Sequence, residues 1–101
     1  MKKLAIPFLA TVLSIASFSA LAGDPVAGKA KSMTCAGCHG INGISSNGMW
    51  PNLAGQKEAY LASQLKMFRS GQRNNAMMTA MSKGLSDADI ANLAAYYANM
   101  K

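Results

Sequence analysis

The chain has 101 residues, half of them hydrophobic and 14% charged, with two cysteines, one histidine and a formal net charge of +6. That length suits a single domain, and three Cys and His residues fall short of the roughly four ligands of a structural zinc site. Arg69 and Arg73 are the only arginines and no basic run with interleaved aromatics occurs, so the positive balance does not mark a nucleic-acid binder.

The chain opens with Lys2 and Lys3, followed by an apolar run from Leu4 to Phe18 that is interrupted by Pro7, Thr11, Ser14 and Ser17. Small residues Ala20 and Ala22 close it. This is the layout of a cleaved secretory signal over residues 1–22, and the run is shorter than the ~20 apolar residues of a spanning helix. The expected mature domain, residues 23–101, has 79 residues with eight basic and four acidic side chains, a net +4. It is expected in the periplasm, with no stable membrane insertion after cleavage. Scaffolds below ~70–80 residues usually need a staple such as a disulfide, a metal or a cofactor.

Three helices follow in the mature chain. The first is expected from "DPVAG", with Asp24 as N-cap and Pro25 at the first helical position; Val26, Ala30 and Met33 then fall on one apolar face. The stretch "MTCAGCHG" holds both cysteines and the histidine. A Gly-, Asn- and Ser-rich loop is expected from Gly40 to Gly55. The second helix, "QKEAYLASQLKMFRSG", places Leu61, Leu65 and Phe68 in one row and ends at Gly71 as a C′ residue. A second long loop is expected from Gly71 to Leu85, carrying Met77, Met78 and Met81. The third helix, "LSDADIANLAAYYANM", opens with Ser86 and Asp89 in a capping-box arrangement and buries Ile90, Leu93, Ala94 and Tyr97. No strand pattern competes. Irregular loops beyond ~12–15 residues are usually functional. These two carry Ile41, Ile44, Met49, Trp50, Leu53 and three methionines, more apolar surface than three short helices can cover. A large apolar cofactor would cover it.

Cys35, Cys38 and His39 form Cys-x-x-Cys-His, the attachment signature of c-type haem. A thioredoxin-type site would need a preceding strand and a βαβ setting. A plain disulfide closing four residues would constrain the chain little and leave His39 unexplained. In the haem reading each position has a task. The two thiols add to the two vinyl groups as thioethers, the small spacer Ala36-Gly37 lets both reach neighbouring edges of the ring, and His39 points its imidazole at the iron. The second ring nitrogen of His39 should donate to a fixed acceptor. The opposite axial position needs a ligand, and with His and Cys exhausted a loop methionine is the best source. Met77, Met78 and Met81 are the candidates, and spacing alone does not choose among them.

With these motifs in place, the chain resembles a class I c-type cytochrome, of the small single-haem bacterial kind and similar to one lobe of the di-haem periplasmic cytochromes c. "CAGCHG" matches the haem-binding stretch, "WPNLAGQKEAYLASQL" the Pro-containing loop and following helix, and "MTAMSKGLSDADIANLAAYYA" the distal methionine loop and closing helix. The resemblance implies an all-α cytochrome c fold, three main helices and long loops wrapped around one covalent haem c. Cys35 and Cys38 are then the anchors and His39 the proximal ligand. The carbonyl of Pro51 accepts from His39, and Trp50 and Leu53 pack at the haem edge. Counting back from Leu85 as the family pattern does gives Met78 as the distal ligand, with His39 and Met78 as the metal-binding pair. The closing helix is expected to cross the first near Gly28, with Tyr96 or Tyr97 against the glycine.

The resulting expectation is a non-enzymatic, monomeric, exported carrier of single electrons between redox partner proteins. The rival from another class is a haem enzyme or gas sensor with an open distal site, which would bind carbon monoxide readily when ferrous. A haem-bearing subunit of a larger oxidase or dehydrogenase is the third reading.

Overall fold

The computed structural model describes residues 23–100, so the leader expected over residues 1–22 lies outside the described residues. The described chain is helical, with no strand. Helices α1 (Pro25–Lys31) and α2 (Met33–His39) lead into a loop, α3 (Glu58–Ser70) and α4 (Ala76–Ser82) follow, and α5 (Asp87–Ala98) closes the fold. The all-α architecture expected from the sequence is present, with two short helices, α2 and α4, beside the three main ones. None of the described helices is long and apolar enough to cross a membrane.

The first helix starts as its sequence indicates. Asp24 is the N-cap, its carboxylate accepting from the Val26 N–H at 2.9 Å, and Pro25 occupies the first turn. Its buried face differs from the expected one. Val26 is 78% exposed and Met33 71%, while Gly28 and Ser32 are buried. The cause is the closeness of α5: a Cβ on Gly28 would collide with the Asn92 carbonyl and lie 2.8 Å from Cβ of Tyr96. Where two backbones touch, the smallest residues must face the contact, so the large apolar side chains point away. The crossing near Gly28 is as expected, and of the two tyrosines it is Tyr96 that meets the glycine. At Ser32 the helix is interrupted, its hydroxyl bonded to the Lys29 carbonyl at 2.7 Å, before α2 carries the cysteines onward.

Helix α3 ends at Gly71, whose φ of 84° is left-handed, the conformation glycine adopts without a Cβ penalty. It packs on α5 through a core of Leu61, Leu93, Ala94 and Tyr97. Arg69 fastens the two helices, donating to the Leu85 carbonyl at 3.0 Å and to the Asp87 carboxylate at 2.6 Å. The capping box of α5 forms in both directions, with the Ser86 hydroxyl on the Asp89 N–H and the Asp89 carboxylate on the Ser86 N–H, each at 3.0 Å.

The region from Gly71 to Leu85 is not wholly irregular. Asn75 caps α4, its side chain accepting from the Met78 N–H at 3.0 Å, and Ala, Met and Thr fill the helix. The loop from Gly40 to Lys57 has no regular element, but backbone bonds fix it. Gly43, with φ of 73°, offers its carbonyl to the N–H groups of Leu53 and Ala54 at 2.8 and 3.0 Å, and Gly55 donates to the Tyr97 carbonyl at 2.9 Å. This ties the segment carrying Trp50 and Pro51 to the closing helix.

Candidate cofactor site

Between the end of α2, the loop at 49–53, one face of α3, α4 and the inner side of α5 lies a cavity of about 580 Å³. Cofactor pockets run to ~300–1,000 Å³, whereas a domain interior is normally close-packed with few voids larger than a water. A space this large in a chain this small is a receptor for a bulky group.

Its walls bring together the residues singled out from the sequence. Cys35, Cys38, His39, Trp50, Pro51 and Met78 all line it, with Met77 and Met81 also at its edge. Both cysteines are free and half-buried. Burial pushes the Cys35 thiol above its usual pKa, only partly offset by the nearby Thr34 and Tyr97 hydroxyls, with the neighbouring Cys38 adding to the rise. Helix geometry explains the placement: three positions apart on α2, the two thiols sit on adjoining edges of one face.

His39 is 94% withdrawn from solvent, at 6% exposure, and its Nδ1 lies 2.8 Å from the Pro51 carbonyl oxygen. A carbonyl can only accept, so Nδ1 carries the proton and Nε2 is left as the nitrogen able to bind a metal. The bond also fixes the plane of the ring. A proline supplies this acceptor well, because its own nitrogen has no hydrogen to compete for partners and its fixed φ holds the carbonyl in place.

The three methionines of α4 differ in burial. Met77 is 55% exposed and Met81 46%, whereas Met78 is half-buried. The Asn75 cap holds the backbone of Met78 directly. The apolar wall is completed by Leu61, Leu65, Phe68, Leu85 and Leu93. At the rim, Arg73 stacks its guanidinium 4.5 Å from the centre of the Phe68 ring and donates to Gln64 at 2.7 Å. Two hydroxyls in the walls, of Ser82 and Tyr97, are buried without a hydrogen-bond partner among the described residues. Cys35 and Ser32 lie close to the Tyr97 hydroxyl without reaching it; burial first, and the Cys35 thiol next, push the tyrosine far above its usual pKa.

Sequence reading did not single out Gln64, Arg73, Ser82 or Tyr97 as wall residues. Tyr97 carried a signal, lying on the buried stripe of α5. Ser82 would have carried one had the Asn75 cap been read as a helix start, since it then falls four residues after Met78.

The residues present suit a c-type haem: a large apolar slot, two free thiols at its wall, and one histidine held by a single ring nitrogen. Residues 25–101 match the family described as cytochrome c. The chain is 49% identical over 83 residues to cytochrome c-554(548) of Halomonas halodenitrificans, covering 79% of this chain and all of that protein. It is 42% identical over 101 residues to cytochrome c4 of Pseudomonas aeruginosa, covering all of this chain and 50% of that one. The crystal structure of reduced cytochrome c4 from Pseudomonas stutzeri superimposes with a TM-score of 0.76 at 39% identity, over 79% of this chain and 47% of that chain. The chain therefore spans about half the length of the cytochromes c4 it matches. On its motif, its fold and these likenesses, the chain belongs to the cytochrome c family, as a class I c-type cytochrome that carries covalent haem c.

Proposed function

We propose that this protein is an exported carrier of single electrons between redox partner proteins, with His39 and Met78 as the axial ligands of its haem iron. The bound group supplies a reversible one-electron iron couple. Everything else is the work of the chain. Cys35 and Cys38 hold the group covalently, so that an exported protein does not lose it. His39 binds through Nε2, and its proton on Nδ1 stays with the Pro51 carbonyl, which raises the basicity of the ring. Met78, which lines the same cavity, would hold the iron through its thioether sulfur, a ligand that favours the reduced state and raises the potential. Trp50 and the leucines of α3 and α5 keep water away, which disfavours the additional positive charge of the oxidised state. With His39 and Met78 both holding the iron and no second His in the chain to serve as an acid–base group, the protein acts as a carrier rather than an enzyme. The signal-like pattern of the sequence over residues 1–22 supports a periplasmic location.

The observation that carries this reading is the 2.8 Å contact between His39 Nδ1 and the Pro51 carbonyl, which leaves the other ring nitrogen free to bind a metal. The test is Met78→Ala in the holoprotein. The variant should bind carbon monoxide in the ferrous form, lose the methionine-to-iron charge-transfer band of the ferric form and show a lower potential. Met81→Ala and Met77→Ala should retain all three native properties. Carbon monoxide binding by the native ferrous protein would instead support the open-site reading.

A further inference from the structure

The two partnerless hydroxyls of the cavity wall ask for an explanation, because leaving a buried hydroxyl unbonded is unfavourable. Each calls for a partner that is in place once the cavity is occupied and its walls have settled around the bound group. Ser82 is the stricter case, with an exposure of 0%. It is the last residue of α4. A helical serine commonly returns its hydroxyl to the carbonyl three or four residues back, which here belong to Thr79 and Met78. The Ser82 hydroxyl takes neither and is fully enclosed in the cavity wall.

Met78 lies four residues before it on the same helix. Residues at this spacing have Cβ atoms about 5–6 Å apart, and helical side chains lean toward the N-terminus. The Ser82 hydroxyl therefore sits over the turn that carries Met78, within reach of its long, flexible thioether. A thioether sulfur has two lone pairs. A metal takes one, and the other remains a weak acceptor.

We propose that Ser82 is the positioning residue for Met78: its hydroxyl donates to the free lone pair of Met78 Sδ in the holoprotein. This rests on the His39/Met78 ligation given above. The bond would select which of the two sulfur lone pairs faces the metal. It would also draw electron density from the sulfur, which weakens its donation and disfavours the oxidised state. Removing the hydroxyl should move the one-electron equilibrium toward the oxidised form by about three- to tenfold, tenfold being 59 mV for one electron.

The experiment uses holoprotein carrying Ser82→Ala, Ser82→Thr or, as a comparator for the second hydroxyl, Tyr97→Phe. It reads the reduction potential, the ring-current-shifted methyl resonance of the axial methionine in the reduced protein, and the thermal midpoint. Ser82→Ala should lower the potential, shift the methyl resonance and lower the midpoint. Ser82→Thr should restore potential and resonance toward native, and Tyr97→Phe should leave the methyl resonance in place. The proposal is overturned if Ser82→Ala leaves potential and resonance unchanged and raises the midpoint, the behaviour of a hydroxyl that has no partner even in the holoprotein. A native protein with no shifted methionine methyl defeats the ligation itself, and that outcome is seen without any variant.

Discussion

The two sides of α5 are built on opposite principles. On one side α1 lies against it backbone to backbone, with Gly28 and Ser32 at the contact and the larger Val26 and Met33 turned outward. On the other side α3 meets it through Leu61, Leu93, Ala94 and Tyr97, and together with α4 and the 40–57 loop encloses a cavity of about 580 Å³ lined with leucine, phenylalanine and methionine. The first contact is complete as it stands. The second is complete only with a group that the chain does not encode. Helix α5 is thus a fixed wall on which a cofactor receptor is erected, and stability should depend on the two sides in different ways.

Emptying the receptor has the largest expected effect. In Cys35→Ala with Cys38→Ala, haem is not anchored, and the surface it would bury stays unburied at the centre of a domain small enough that its core alone is marginal. Such a chain should show weak helical circular dichroism at 25 °C and no cooperative unfolding transition. A cooperative, fully helical, haem-free fold would show that the α1–α5 side suffices alone, and would end the view of haem as the staple.

Filling the tight side comes next. Gly28→Ala places a methyl against the Asn92 carbonyl. Overpacking typically costs ~1–3 kcal/mol, against the ~1 kcal/mol that alanine gains over glycine within a helix. The variant should unfold at a lower temperature, by ~4–8 °C for each net kcal/mol in a domain of this size. Val26→Ser, three-quarters exposed two residues away, should stay within ~0.5 kcal/mol of the parent. If the order were reversed, α1 would be packing through its apolar stripe after all.

That reversal is also where sequence reading reached its limit. Periodicity finds a stripe of large apolar residues and assumes that it is buried. It cannot see that a neighbouring helix comes so close that only glycine and serine fit. The cap signals, which depend on atoms two or three residues apart, were legible: Asp24, Gly71 and the Ser86–Asp89 box all stand as expected. The Asn75 cap belongs to the same class, but the three methionines that follow it fit a ligand-bearing loop as well as a helix, so α4 does not stand out in the sequence. Of the site, Cys35, Cys38 and His39 were legible because covalent attachment fixes their spacing. Ser82 was not, because its meaning lies in the absence of a partner, which a sequence does not display.

Smaller effects probe the N-terminus of α5, where both sides are fastened. Ser86→Ala removes one half of the capping box and should cost ~1 kcal/mol, read as an equal shift in chemical unfolding at unchanged denaturant slope. Haem spectra should be unaltered, since the box lies outside the cavity.

The smallest expected effect separates the two fastenings by acid. Asp89 belongs to the tight side: its carboxylate is held below the usual carboxylate range by the Ser86 backbone bond first, with Lys31 of α1 also contributing at 3.6 Å. Asp87 belongs to the receptor side, held low by the hydrogen bond from Arg69 of α3 and then by its charge. In both cases the folded pKa lies below the unfolded one, so the folded state binds fewer protons there. The stabilisation is fully present above the unfolded value near 3.8 and is lost as pH falls through the lower folded value. Thermal midpoints of the holoprotein should therefore be flat in these two groups from pH 7 to about 5 and decline below about 4. Asp87 is highly exposed, so added salt should screen its share, whereas the bond from the Ser86 N–H to Asp89 is short-ranged and should persist. Asp89→Asn should then flatten the acid decline at both low and high salt, and Asp87→Asn only at low salt. Equal flattening by the two variants at high salt would mean that α5 is held to both of its sides by charge alone, and that the backbone bond of the capping box contributes nothing to the difference between them.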